Sequence, residues 1–165
     1  MAKKRLLVLL LMLVYLSACG FQLRSDVALS QVLGVTRLSI VDEFSPFARQ
    51  LRRSLQRSGV ELVNQPGPAA SNIDVSVNRV TREILTIGDT ARVREYRISH
   101  QVAFRVLNAS GGEILPLQVL QQSRDLSFDE GALLAATREE EFVREALSRQ
   151  LVRLVVQRLS MLEAP

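Results

Sequence analysis

The residues best equipped for chemistry come early: Leu16-Ser17-Ala18-Cys19-Gly20 follows a basic start, Met1-Ala2-Lys3-Lys4-Arg5, and an unbroken apolar run from Leu6 to Leu16. A cationic segment, a short apolar segment and small residues before a cysteine are the parts of a secretory signal ending in a lipoprotein cleavage site. The apolar run rises only about 16 Å as a helix, too short to cross a bilayer. Residues 1–18 therefore read as a signal peptide. Cleavage before Cys19 frees its thiol for diacylglycerol and its amine for a further acyl chain, so the mature protein is expected to be lipid-anchored at Cys19. An ordinary cleaved signal is the competing reading, and no second cysteine exists to pair with Cys19. Gly20, where an aspartate favours inner-membrane retention, points to the outer membrane by sorting rule.

Two other groups invite a chemical reading. His100 is the one histidine, and it falls on the apolar side of the best strand pattern in the chain, which suits a satisfied core residue. A Ser-His-Asp set could still assemble from distant residues, but no Gly-x-Ser-x-Gly elbow, phosphate-cradling glycine loop or metal-ligand spacing accompanies it. Glu139-Glu140-Glu141 resembles an acidic metal site only on paper. Consecutive helical residues point about 100° apart and cannot converge on one ion. They are expected to solvate the start of the last helix. No enzyme activity, no cofactor and no metal is expected.

Once Lys3, Lys4 and Arg5 leave with the signal, 18 basic residues, all arginine, face 17 acidic ones. The high pI is then no argument for a polyanion partner, and with few aromatics and an exported chain, nucleic acid is not expected. Arginine forks suit phosphate and carboxylate, though arginine-only usage also follows from genomic base composition. A mature chain of this length suits one domain, held without disulfides.

These groups must be positioned by a small set of elements. Residues 19–34 read as a tether and 35–165 as a single domain. Leu38 and Ile40 alternate with Arg37 and Ser39, a strand over 35–41. Ser45-Pro46 caps a helix with Phe47, Leu51 and Leu55 on one stripe, Arg49, Arg52, Arg53 and Arg57 around it, and Gly59 as its stop. The arginine row is either a solvated face or a docking face for phosphates or an acidic partner.

Val63 to Asn72 is loop composition. Ile73, Val75 and Val77 alternate, but Val80, Ile84 and Leu85 fall out of step unless a bulge sits near Asn78 and Arg79. After the 87–91 loop, Tyr96, Ile98, His100, Val102, Phe104 and Val106 define the clearest strand face. Asn108 to Gly112 turns the chain into a fourth strand over 114–128, with Leu115, Leu117 and Val119 alternating. Pro116 cannot donate to a ladder, so that strand is expected to lie at an edge or to begin irregularly. Asp129 caps a last helix whose stripe runs Phe142, Val143, Ala146, Leu147, Leu151, Leu154, Val155 and Leu159. The expected fold is α+β: a two-layer sandwich, two helices on a four-stranded mostly antiparallel sheet, in the order βαβββα.

Cys19-Gly20-Phe21-Gln22-Leu23-Arg24, the Leu51…Leu55…Gly59-Val60-Glu61-Leu62 segment, Glu95-Tyr96-Arg97-Ile98 and Phe128-Asp129, in this order, resemble the LptE family of lipopolysaccharide-assembly lipoproteins of Gram-negative bacteria. Gln22 departs from the histidine often found there. The resemblance implies a non-enzymatic outer-membrane lipoprotein that plugs the barrel LptD, assists its assembly and helps lipopolysaccharide reach the outer leaflet. It further implies lipopolysaccharide contacts near the loop before the Glu-Tyr strand, here Arg92 and Arg94. A second basic site falls near the start of the last helix, where Ala135 aligns and Arg138 is the nearest substitute. Arg92 and Arg94 read equally well as ordinary strand-end charges. A pilot or accessory lipoprotein of another outer-membrane assembly or secretion complex shares the anchor and compact domain, and a hydrolase using His100 is the third reading.

Overall fold

The computed structural model describes residues 29, 33–65, 67, 70–87, 93–127 and 133–162. The elements are β1 (Val35–Ile40), α1 (Pro46–Arg57), β2 (Glu61–Val63), β3 (Ser71–Ile87), β4 (Val93–Leu107), β5 (Glu113–Ser127) and α2 (Leu133–Leu159). They form one five-stranded sheet in the order β2-β1-β3-β4-β5. Phe47, Leu51 and Leu55 of α1 and Leu151, Val155 and Leu159 of α2 pack on one face of that sheet.

The expected α+β sandwich with two helices is present, but the sheet has five strands and mixed pairing. Glu61–Val63, at the edge of the stretch read as loop, is a strand parallel to β1, with Val35 opposite Glu61 and Arg37 opposite Val63. β1 also runs parallel to β3, from Thr36 opposite Ser71 to Ile40 opposite Val75. Three residues carry no periodicity of their own, and parallel pairing is made by the α1 crossover rather than by a turn, so neither feature had a local signal. Ser71 and Asn72 likewise belong to β3.

Local chemistry explains the helix that makes the crossover. The Ser45 hydroxyl accepts from the Ala48 N–H at 3.1 Å and Pro46 occupies the first turn. At its other end Gly59 adopts φ 82°, a conformation disfavoured for a side chain, and lets the chain turn into β2. Phe47, Leu51 and Leu55 are fully buried, each worth roughly 1.5–3 kcal/mol of apolar transfer.

β3, β4 and β5 make a long antiparallel meander. The six residues expected on the inner face of β4, Tyr96 to Val106, are all buried. The bulge in β3 lies at Ser76, between Val75 and Val77, two or three residues earlier than expected, and it places Asn78, Val80, Arg82 and Ile84 on the same face as His100 and Tyr96. β5 is the edge strand that Pro116 indicated. Its inward set is not the expected one: a register shift between Leu115 and Gln118 leaves Leu117 and Val119 exposed, while Leu115, Leu120 and Leu126 face the helices. On α2 the stripe holds from Val143 to Leu159, but Phe142 is 60% exposed and Ser148 and Val152 are buried.

Beyond Val75, no strand among the described residues pairs with the outer edge of β3. Residues 79–87 are exposed throughout.

Candidate functional site

The hairpin end of the sheet and the first turns of α2 are where the predicted binding residues gather along the chain. Cys19 and Arg92 lie outside the described residues, as does the expected Asp129 cap. Arg94 is the second residue of β4, inside the register shift between Thr86 and Ile87. Arg138 is exposed on the second turn of α2. From 134 to 142 this helix buries no side chain, and among the residues whose burial is described Val143 is the first to be buried.

A cluster that sequence reading missed braces this projecting helix. The Arg82 guanidinium carbon stands 4.0 Å from the centre of the Tyr96 ring, a cation–π stack. Arg82 also reaches Glu140 at 3.5 Å, and the Tyr96 hydroxyl donates to the same carboxylate oxygen at 3.4 Å. Arg144 donates twice to the other oxygen, at 2.9 and 2.6 Å. Burial raises the Tyr96 pKa above its ordinary value, with the Glu140 charge adding to the shift and Arg82 opposing it. Glu140 is therefore engaged, at 18% side-chain exposure, whereas Glu139 and Glu141 are exposed as expected. Only the bulge at Ser76 brings Arg82 onto the Tyr96 face, so spacing alone could not join these residues.

His100 sits behind this cluster, between the main core and the smaller one of Tyr96, Ile98, Leu126, Val143 and Leu147. Its Nε2 lies 2.8 Å from Asn78 Oδ1 and its Nδ1 3.4 Å from Ser148 Oγ, with the Phe47 ring edge-on at 5.8 Å. Ser148, His100 and Asn78 thus have the connectivity of a nucleophile, base and orienting group. They are nevertheless covered: Ser148 is 3% and His100 2% exposed, and Ser148 Oγ is also within 3.0 Å of the Arg144 carbonyl, where it donates its one proton. A substrate cannot reach that hydroxyl. Desolvation lowers the His100 pKa, as for a neutral core imidazole.

Elsewhere the arginine row of α1 meets α2 across an open groove of about 500 Å³, lined by Arg49, Gln50, Arg53, Glu141, Arg144 and Glu145. The uncovered face of the sheet carries ion pairs. Arg97 forks onto both Asp125 oxygens at 2.7 and 2.8 Å, and Arg105 meets Asp74 at 3.0 Å. The bond to Asp125 raises the Arg97 pKa and the bond from Arg97 lowers that of Asp125. Among the described residues no helix is long and apolar enough to cross a membrane, and no group of side chains is arranged to hold a metal.

Known proteins share this arrangement. The solution structure of lipoprotein B from Nitrosomonas europaea superposes with a TM-score of 0.68 at 26% identity, covering 86% of this chain and 90% of that one. The crystal structure of the rare lipoprotein B from Shewanella oneidensis gives 0.66 at 22% identity, covering 76% and 93%. The LPS-assembly lipoprotein LptE of Yersinia enterocolitica is 31% identical over 98% of this chain and 79% of its own length. That of Pectobacterium atrosepticum is 28% identical over 93% and 83%. The family model described as LptE, lipopolysaccharide-assembly, matches residues 35–159, from the first residue of β1 to the last of α2, and the chain belongs to that family.

Proposed function

We propose that this chain is a non-enzymatic envelope lipoprotein, anchored through Cys19 in the outer membrane. In this reading it sits inside the barrel LptD, assists its assembly, and helps pass lipopolysaccharide to the outer leaflet. The observation that carries the reading is membership of the LptE family across every described element from β1 to α2. The surface chemistry supports it. Barrel lumens are polar, and a plug presenting the Arg97–Asp125 and Arg105–Asp74 pairs over a packed core suits such a wall. Arg92, Arg94 and Arg138 are the proposed contacts for lipid A phosphates, which guanidinium forks bind bidentately.

The test is extraction of the full-length, tagged lipoprotein from outer membranes in mild detergent. A single large barrel in stoichiometric amount, lost from the membrane on depletion of this protein, is the expected result. A secretin or a multi-lipoprotein complex in its place would overturn the reading.

A further inference from the structure

The charge of the α1 arginine row is not balanced within the fold. α1 carries Arg49, Arg52, Arg53 and Arg57 and no acidic residue. Arg49, Arg53 and Arg57 follow one another at i+4 on the side away from the buried Phe47, Leu51 and Leu55, and all three are exposed. On α2 no acidic residue occurs from Ala146 to Leu159, and Arg153 is exposed there. None of these five arginines has an ion pair among the described residues. Arg49 donates to the Phe44 carbonyl and Arg57 to that of Arg53. A guanidinium has five N–H donors, so one such bond leaves most of the fork free. Elsewhere cations are matched: Arg97 by Asp125, Arg105 by Asp74, Arg144 by Glu140 and Arg149 by Glu145.

A leaflet of lipid phosphates would match such a row, and so would an acidic protein surface. Two features of the helix layer favour the protein. Glu141 and Glu145 line the groove beside Arg49 and Arg53, and exposed carboxylates there repel a phosphate surface, whereas a folded partner can place its own charges to suit. The layer also lacks an apolar anchor for a bilayer: no large apolar side chain is exposed in α1, or in α2 from Val143 to Leu159.

The spacing suits a strand. Residues four apart on a helix rise about 6 Å, and alternate residues of a strand, those that face one side, are about 6.7 Å apart. From Arg49 to Arg57 the two spacings diverge by little more than about 1 Å, which flexible arginine stems absorb. Packed helices lie about 8–10 Å apart, close to two strand separations of about 4.8 Å each. We infer that α1 lies lengthwise against one strand of the enclosing barrel, with Arg49, Arg53 and Arg57 paired to successive carboxylates on its lumen side. Arg153 of α2 meets a carboxylate two strands along. The inference rests on the barrel reading and adds which face of the plug meets the wall, and through which chemistry.

The test co-expresses the full-length lipoprotein with the barrel and measures how much barrel stays with it in mild detergent. Arg53→Glu with Arg57→Glu is expected to weaken retention about ten-fold by setting like charges against the wall. The urea midpoint of the free lipoprotein should barely move, because both side chains are exposed. A photo-cross-linker in place of Arg53 should join a barrel strand whose lumen side carries carboxylates. Replacing one of those carboxylates by arginine should restore retention of the doubly reversed lipoprotein. Unchanged retention, a cross-link to lipid, a cross-link to a barrel segment without carboxylates, or failure of the rescue would each overturn the proposal while leaving the barrel reading intact. An unsubstituted chain that retains no barrel would overturn both.

Discussion

The His100 imidazole and the Asn78 amide meet across two neighbouring strands at 2.8 Å, and this contact is the middle of a longer polar chain. Asn78 donates to Ser45 Oγ at 2.9 Å, and Ser45 donates in turn to the Asp42 carbonyl at 2.8 Å. With the Ala48 N–H as second donor, the Ser45 hydroxyl has its proton and both lone pairs in use. Because the amide nitrogen serves Ser45, its oxygen faces the ring, so His100 donates from Nε2 and Nδ1 is left as the acceptor. The α1 cap, β3 and β4 are thereby tied through one polar row.

Asn78→Ala breaks this row at its branch point and leaves His100 without its acceptor. The expected loss is about 1–3 kcal/mol, read as a lower urea midpoint at unchanged slope. Ser148→Ala, which removes the long contact at 3.4 Å and a bond to a carbonyl of its own helix, should cost clearly less.

His100 also gives a pH signature. Desolvation holds its folded pKa below the ordinary value of 6.5. Between the two pKa values the unfolded chain binds more protons, so stability rises with pH there. The contribution is complete above the unfolded pKa and is lost as pH falls through the folded one. Urea titrations across this window should show a slope that His100→Gln diminishes. The same variant should still co-purify with its envelope partner, and loss of function without loss of fold would revive a catalytic role.

Glu140→Ala removes the carboxylate shared by Tyr96, Arg82 and Arg144. Both arginines are partly exposed, so solvent screens the pairs and the expected global loss is only about 1–2 kcal/mol. The larger effect is local: amide exchange across residues 134–142 should quicken, since no buried side chain holds that stretch. Unchanged exchange there would show that the helix start is held by something else.

Arg92→Ala with Arg94→Ala should weaken lipopolysaccharide binding by the purified lipoprotein several-fold while leaving its urea midpoint and barrel association intact. Arg138→Ala should act in the same direction. Binding unchanged in both variants would remove these three residues from the proposed site.

The strand with the most regular alternation was the most legible part of the chain. Tyr96 to Val106 has paired neighbours on both sides and helices over one face, so a period of two maps directly onto burial. The α1 cap was equally plain, because Ser45 and Pro46 act within one turn. β2 was hidden because Glu61, Leu62 and Val63 are a strand only by virtue of β1 beside them. Leu117 and Val119 misled for a related reason: Pro116 and the register shift exchange the two faces of β5 halfway along. At the candidate site, Glu139, Glu140 and Glu141 are alike in sequence. Which of them turns inward was decided by a bulge in another strand, some sixty residues earlier.

The seam between β1 and β3 sets an order of assembly. Thr36 Oγ1 and Ser71 Oγ lie 2.7 Å apart across 35 residues of sequence, and both hydroxyls meet the Leu33 carbonyl. The meander of β3, β4 and β5 closes through connections of only five residues each, 88–92 and 108–112, and hairpins form in roughly 1–10 μs. The parallel seam needs α1 and the whole 64–70 connection drawn in first, at a greater loop-closure cost. Synthesis therefore delivers β1 and α1 first, yet their place in the sheet exists only after β3 has been made. Until then Phe47, Leu51 and Leu55 are a ready target for a holdase.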